Sequence, residues 1–218
     1  SDLDVVEEFD YETGRLLDVL DELKLSDNTL VLYTSDNGPW NQDKYTKNKK
    51  GHPEGSIFWG DAGFLRNGKG SPYEGGYRLP CIARWPGKIP AGRKSDAIFA
   101  TIDFLPTLAK LSGFEVPSDR TIDGMDQTAL LMGKSEKGRE TFYFDRAGIR
   151  KGNWKYLKAD AHFYGYARED SRSKEEELFN LKKDLGEKNN LAKKYPKILD
   201  ELRRLTKAMP MGGPGGIR

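Results

Sequence analysis

Apolar residues Val5, Val6, Phe9, Leu16, Leu17, Leu20 and Leu23 recur near helical spacing, with charged residues on the other face. This pattern predicts a helix from about Asp4 to Leu23. Ser26-Asp27-Asn28 is a turn signal, and Thr29-Leu30-Val31-Leu32-Tyr33-Thr34 is a short, β-rich apolar run. Such a run reads as a buried strand, parallel to its neighbours, that follows a crossover helix. The order of helix, tight turn, buried strand and then Ser35-Asp36-Asn37-Gly38 belongs to an open α/β sheet. Ligand sites in such sheets lie at the carboxyl ends of strands.

From Pro39 to about Tyr73 the periodicity disappears and Gly, Lys, Asn and Pro dominate. Long irregular stretches of this kind are often functional. Pro80 to Trp85 is a second strand candidate, and Ala97 to Ala100 a third. Asp103 to Leu111 reads as a helix that Gly113 stops, with Pro106 tolerated only in its first turn. A short helical piece is expected around Thr128 to Met132. Beyond it the character changes. Thr141–Phe144, Ala147–Arg150, Trp154–Leu157 and Glu177–Asn180 are short strands at hairpin spacing. Pro196 opens a last helix with Ile198, Leu199, Leu202 and Leu205 on one face. The expected organisation is an α/β portion over 1–137, a small antiparallel β plus helix subdomain over 138–208, and a disordered Gly/Pro tail over 209–218.

Composition narrows the function. Lys plus Arg number 36 and Asp plus Glu 34, a net +2, which excludes a chain built to coat nucleic acid or an anionic membrane. No apolar stretch is long enough for a membrane span. A single cysteine, Cys81, excludes an intrachain disulfide and a multi-cysteine metal site, and it reads as a small buried core residue.

Two motifs could carry chemistry. Asp36-Asn37 at a strand end offers two oxygen ligands for a hard cation, calcium or magnesium, and Gly38 lets the backbone turn away. The alternative is an Asx turn that merely ends the strand. In Gly68-Lys69-Gly70-Ser71-Pro72-Tyr73-Glu74-Gly75-Gly76-Tyr77-Arg78, a lysine between glycines offers a point charge to sulfate or phosphate. The spacing is not that of a nucleotide P-loop. The alternative is an exposed turn with a solvated lysine. Glu74 and Arg78, four apart, read as a structural ion pair. His52 in Gly51-His52-Pro53-Glu54 is a candidate near the substrate mouth, and His162, among Phe163, Tyr164 and Tyr166, reads as structural. Trp40 and Trp59 flank the irregular stretch and could meet a glycan, and Lys47-Asn48-Lys49-Lys50 could steer a polyanion. The run from Arg168 to Glu177 alternates in sign and reads as a solvated hairpin tip.

These motifs, with Arg84-Trp85-Pro86-Gly87, Thr101 to Thr107, Asp123-Gly124, Arg150 to Tyr156 and Leu178 to Asp184, follow one another in the order found in formylglycine-dependent sulfatases. The chain resembles that family over about residues 4 to 207. The resemblance implies part of an alkaline-phosphatase-like mixed sheet flanked by helices, followed by a small C-terminal antiparallel sheet with a helix. It implies that Asp36 and Asn37 are calcium ligands and that Lys69 contacts the sulfate. A formylglycine hydrate then attacks sulfur while the metal and cations hold the sulfate oxygens. The implied substrate is a sulfated small molecule or glycan. The implied compartment is periplasmic, secreted or lysosomal.

The departures are as informative. The family's Cys/Ser-x-Pro-x-Arg nucleophile motif is absent, and Cys81-Ile82-Ala83-Arg84 lacks the proline. The chain is therefore expected to be the C-terminal portion of a sulfatase. Alone it should be inactive, bind calcium weakly and expose an uncovered apolar face. A phosphodiesterase or phosphonate hydrolase of the same superfamily, or a non-catalytic glycan-binding relative, are the competing readings.

Overall fold

The computed structural model describes residues 2–40, 60–161 and 172–209. Its elements fall into two compact units, each assembled from separated stretches of chain: 1–35 with 80–138, and 36–79 with 139–218.

The first unit opens with α1 (Asp2–Glu22). Lys24 ends the helical run with a left-handed φ of 56°, and a 3-10 turn at Ser26–Asn28 leads into β1 (Val31–Thr34). Strand β1 pairs with β2 (Cys81–Arg84), Val31 opposite Arg84 and Thr34 opposite Cys81. The pairing is antiparallel, which corrects the expectation of a buried parallel strand. Among the described residues each of these strands has one neighbour. A strand flanked on one side only leaves part of its surface to solvent, and Tyr33, Thr34, Cys81 and Ile82 are exposed. Cys81 is thus a second correction: it is exposed rather than a core residue. Trp85 Nε1 donates to the Asp27 carbonyl at 2.9 Å, tying the end of β2 to the 3-10 turn.

The segment expected as a third strand, Ala97 to Ala100, forms only an isolated bridge at Ile98. Its backbone is claimed by side chains instead. Asp103, fully buried, accepts from the Ala100 amide at 3.0 Å and the Met125 amide at 2.9 Å. Asp103 leads into α3 (Phe104–Ser112), which ends at Gly113 in the left-handed conformation. Thr107 on this helix accepts from the Gln127 amide at 3.0 Å, just before the short α4 (Thr128–Leu131). The apolar stripe of α1 is exposed at Val5, Val6, Phe9, Leu16 and Leu23, as are Leu105, Leu108 and Phe114.

The second unit is better packed. It holds the short α2 (Glu74–Tyr77), which the sequence reading did not anticipate, and four antiparallel strands in sequential order. These are β3 (Thr141–Phe144), β4 (Gly148–Lys151), β5 (Trp154–Leu157) and β6 (Glu177–Asn180). A two-residue loop, Gly152-Asn153, joins β4 to β5, with Gly152 at φ 56° as a tight hairpin demands. The final helix, α5 (Pro196–Lys207), begins at the expected proline.

Alternation along the strands sorts the two faces. Tyr156 and Leu178 join Ile149, Leu199 and Leu202 in the core under α5. Leu157 and Phe179 point the other way, into a cluster with Tyr73 and Leu181. Lys155 shares that second face with Leu157 and is fully buried. Tyr77 of α2 packs edge-on against Phe144, ring centroids 4.9 Å apart. The glycine-rich segment is therefore seated on the inner face of the four-stranded sheet. Among the described residues no helix is long and apolar enough to cross a membrane.

Candidate functional site

The residues after β1 and the glycine turn meet through their backbones. The Gly38 amide donates to the Gly76 carbonyl at 3.0 Å, and the Lys69 amide to the Pro39 carbonyl at 2.8 Å. The approach is too close for any side chain at the crossing. A Cβ on Gly38 would fall 1.8 Å from the Gly75 oxygen, and one on Gly75 would fall 2.2 Å from the Asn67 oxygen. Glycine is thus required at Gly38 and Gly75, where three stretches of backbone pack together.

The loop carrying Lys69 closes on itself. The Gly75 amide donates to the Arg66 carbonyl at 2.9 Å, and the Ser71 amide to the Gly68 carbonyl at 3.1 Å. Asn67 takes a left-handed φ of 61°, and its Oδ1 accepts from the Gly68 amide at 2.8 Å. The Lys69 ammonium lies 5.8 Å from the centroid of the Trp40 ring. Asp36 is exposed, Asn37 is half-buried and Lys69 is half-buried. Asp36, Asn37, Trp40 and Lys69 thus lie on adjoining backbone, although they are some thirty residues apart in sequence.

Beneath the loop lies a set of buried charges. Lys155 Nζ is 2.9 Å from Glu74 Oε1 and 2.8 Å from Glu187 Oε1. Glu74 also pairs with Arg78 at 3.0 Å, the ion pair expected from their spacing. The Glu74 backbone amide donates to Glu187 Oε2 at 2.7 Å. Burial works against the Glu74 charge, yet Lys155, Arg78 and Arg150 outweigh it and hold the carboxyl below its ordinary range. Burial dominates at Glu187 and pushes its carboxyl up, with Lys155 opposing. On the other flank, Arg66 stacks 3.7 Å from the Tyr73 ring centroid and reaches Glu177 Oε1 at 2.9 Å. Tyr73 donates to Glu177 Oε2 at 2.6 Å, and burial with this bond raises its pKa.

Sequence reasoning missed Arg66, Lys155, Glu177 and Glu187. The signal was present: Lys155 and Glu177 occupy the same strand face as buried Leu157 and Phe179, where an apolar residue is the rule. His52, the Lys47–Lys50 patch, Trp59, His162, Phe163, Tyr164, Tyr166, the start of the 168–177 charge run and the tail from Pro210 lie outside the described residues.

Asp36 and Asn37 are hard oxygen donors of the kind calcium and magnesium take, but such ions need about six or more. Among the described residues no group of three or more His, Cys, Asp or Glu side chains converges on a metal position. The donor chemistry fits, and the donor number is incomplete.

The lysine turn is pinned by backbone bonds beside the segment that follows a strand-end Asp-Asn pair. Comparison with known proteins gives the family. The sulfatase family model matches residues 1–114, and that for the C-terminal region of N-sulphoglucosamine sulphohydrolase matches residues 67–210. The chain belongs to the sulfatase family, whose members are sulfuric ester hydrolases, and its fold is their alkaline-phosphatase-like α/β fold. It is 35% identical to N-acetylgalactosamine-6-O-sulfatase of Bacteroides thetaiotaomicron over 94% of this chain and 41% of that one. A structure from work on glycosaminoglycan metabolism in the same organism superposes with a TM-score of 0.76 at 35% identity, covering 94% of this chain and 43% of that chain. A protein solved with its substrate D-glucosamine-2-N,6-O-disulfate gives 0.65 at 30% identity, covering 93% and 38%. The chain therefore spans about two fifths of the length of these relatives.

Proposed function

We propose that this chain contributes Lys69, Asp36 and Asn37 to the active site of an enzyme that hydrolyses sulfate esters of carbohydrates. The observation that carries the reading is the pinning of the lysine turn to the segment after Asp36-Asn37, through the Lys69–Pro39 and Gly38–Gly76 backbone bonds. The amide bond fixes the backbone from which the Lys69 ammonium reaches, and charge placed before the reaction is worth most where charge develops in the transition state. Lys69 binds a sulfate oxygen and stabilises the charge that accumulates as the ester bond breaks. Trp40, beside Lys69, offers an apolar face to a sugar ring.

Asp36 and Asn37 would hold a calcium ion, with magnesium as a substitute, together with donors from outside the described residues. Such an ion supplies Lewis-acid polarisation of the sulfate. The formylglycine nucleophile has no counterpart here, since no Cys/Ser-x-Pro-x-Arg occurs. It would be supplied by sequence beyond these 218 residues. His52 would lie near the sugar. A sulfated glycan substrate favours an exported compartment, periplasmic, secreted or lysosomal. Of the relatives, those named for amino sugars match over 93–94% of this chain and support a sulfated carbohydrate, while steryl-sulfatase and arylsulfatase relatives keep aryl and steryl sulfates as the comparison substrates.

The test is hydrolysis by the product of the complete reading frame that contains this chain. Glucosamine 6-sulfate, galactosamine 6-sulfate, 4-nitrophenyl sulfate, a steryl sulfate and 4-nitrophenyl phosphate are compared. The sugar sulfates should be turned over fastest, and Lys69→Met should lower kcat by about 10²-fold or more. Faster turnover of the phosphate ester, or a Lys69→Met enzyme as fast as the wild type, defeats the reading.

A further inference from the structure

The buried charges under the glycine turn are not explained by stability. A buried ion pair is often no better than well-packed apolar residues of the same size. Here three ionisable groups share one small volume: Lys155 at 0% exposure, Glu74 at 3% and Glu187 at 1%. An apolar residue in place of Lys155 would suit the strand face it occupies, beside Leu157 and Phe179. Glu187 adds a backbone cost, since it holds a left-handed φ of 53°, which non-glycine residues rarely adopt.

The connections of these groups show what they hold. The Glu187 carboxylate accepts the Glu74 amide at 2.7 Å, and the Glu187 carbonyl accepts Arg66 at 3.2 Å. Arg66 and Glu74 bracket the segment that contains Lys69. Immediately after Glu74 come Gly75 and Gly76, and the Gly76 carbonyl receives the Gly38 amide. One carboxylate residue thus reaches both ends of the loop, and Lys155 holds that carboxylate against Glu74 from the strand side. Lys155 also lies 4.1 Å from the Phe144 ring centroid, so its ammonium is enclosed by two carboxylates and an aromatic face.

We propose that Lys155 and Glu187 are positioning residues for Lys69: their buried ion pair sets the register of the glycine turn against the Asp36–Trp40 segment. The inference rests on the assignment of Lys69 above. It predicts that weakening the pair loosens the turn before it loosens the sheet.

The decisive measurement is amide hydrogen exchange in the protein, which needs no substrate. The double variant Lys155→Met/Glu187→Gln removes one charge of each sign and leaves Glu74 paired with Arg78. The Lys69 and Gly38 amides should exchange at least about tenfold faster, while the amides of Ile149 and Tyr156, a directly opposed pair of β4 and β5, keep their protection. Wild-type exchange at Lys69 and Gly38, or equal acceleration of all four amides, overturns the proposal. Should the double variant fail to fold, Glu187→Gln alone is read by the same criteria.

A kinetic arm separates this inference from the functional reading. In folded variant, kcat on a sulfate ester should fall about tenfold with KM nearly constant, because a displaced catalytic group costs rate more than binding. In a Lys69→Met background the same double variant should have no further effect on kcat. If Lys69→Met is itself harmless, the functional reading fails. If Lys69→Met is damaging and the pair's removal is not, only the positioning role fails.

Discussion

The Lys69 backbone amide donates to the Pro39 carbonyl across 2.8 Å. This bond joins a glycine turn to the residues that follow a strand-end Asp-Asn pair, and it places a lysine and two oxygen-bearing side chains on adjoining stretches of chain. A companion bond runs from the Gly38 amide to the Gly76 carbonyl at 3.0 Å.

That crossing has no room for a methyl group. Gly38→Ala would put a Cβ 1.8 Å from the Gly75 oxygen, a backbone atom that cannot swing aside. We expect a loss of about 3 kcal/mol in stability, read by denaturant unfolding. Gly87→Ala serves as a control. Its φ of 71° brings strain without any neighbour within 4 Å, and its cost should be clearly smaller.

We expect Cys81 to take no part as a nucleophile. It is exposed at the start of β2, opposite Thr34, and partial burial of its thiol pushes the pKa up, away from the reactive thiolate. Cys81→Ala should leave turnover of the complete reading-frame product unchanged. On the 218-residue chain alone, aryl-sulfate turnover that survives Cys81→Ala would contradict the assignment of the nucleophile to sequence outside it.

Calcium should bind this chain weakly. Asp36 and Asn37 supply two donors of the six or more required, and the described residues add no acidic or histidine cluster. Titration calorimetry on the 218-residue chain should give a Kd weaker than about 1 mM, and Asp36→Ala should abolish what binding there is. A micromolar Kd would mean that further ligands lie within the chain.

Glu176 gives the second unit an acid-sensitive tie. Its two oxygens accept from Arg203 Nε at 2.9 Å and from the Arg203 NH2 group at 2.7 Å, and Tyr156 donates to it at 2.6 Å. The Arg203 bond first, and then Tyr156, hold its carboxyl at about 2, below the ordinary value of 4.5. The folded pKa is depressed, so the stabilisation is complete above pH 4.5 and drains as pH falls toward 2. Glu176→Gln should lower the melting temperature at pH 6, and the gap to the wild type should close by pH 2. A gap independent of pH would show that packing, not charge, sets the tie.

Much of the local structure was legible. Pro196 and the spacing of Ile198, Leu199, Leu202 and Leu205 marked α5, and Gly113 marked the end of α3. These signals are local, because they depend on φ preferences and on a periodicity that neighbouring residues display themselves. The strand partners were not legible. The apolar run before Asp36 reads as a buried parallel strand, but β1 pairs antiparallel with β2, and Ala97 to Ala100 gives its backbone to Asp103 and Gln127 side chains. Pairing joins residues about fifty positions apart, and no local pattern records it.

The sequence by itself determined the family and the candidate chemistry. Asp36, Asn37 and Lys69 stand in motifs whose order along the chain is distinctive, and residue type alone says which of them is anionic, neutral or cationic. Only the tertiary structure decided which charges lie beneath the turn that carries Lys69. Lys155 looks like one more lysine in a chain rich in them until the sheet alternation turns it inward, where loss of water obliges it to find Glu74 and Glu187. A buried charge acquires its partners through desolvation, and desolvation is a property of the folded chain.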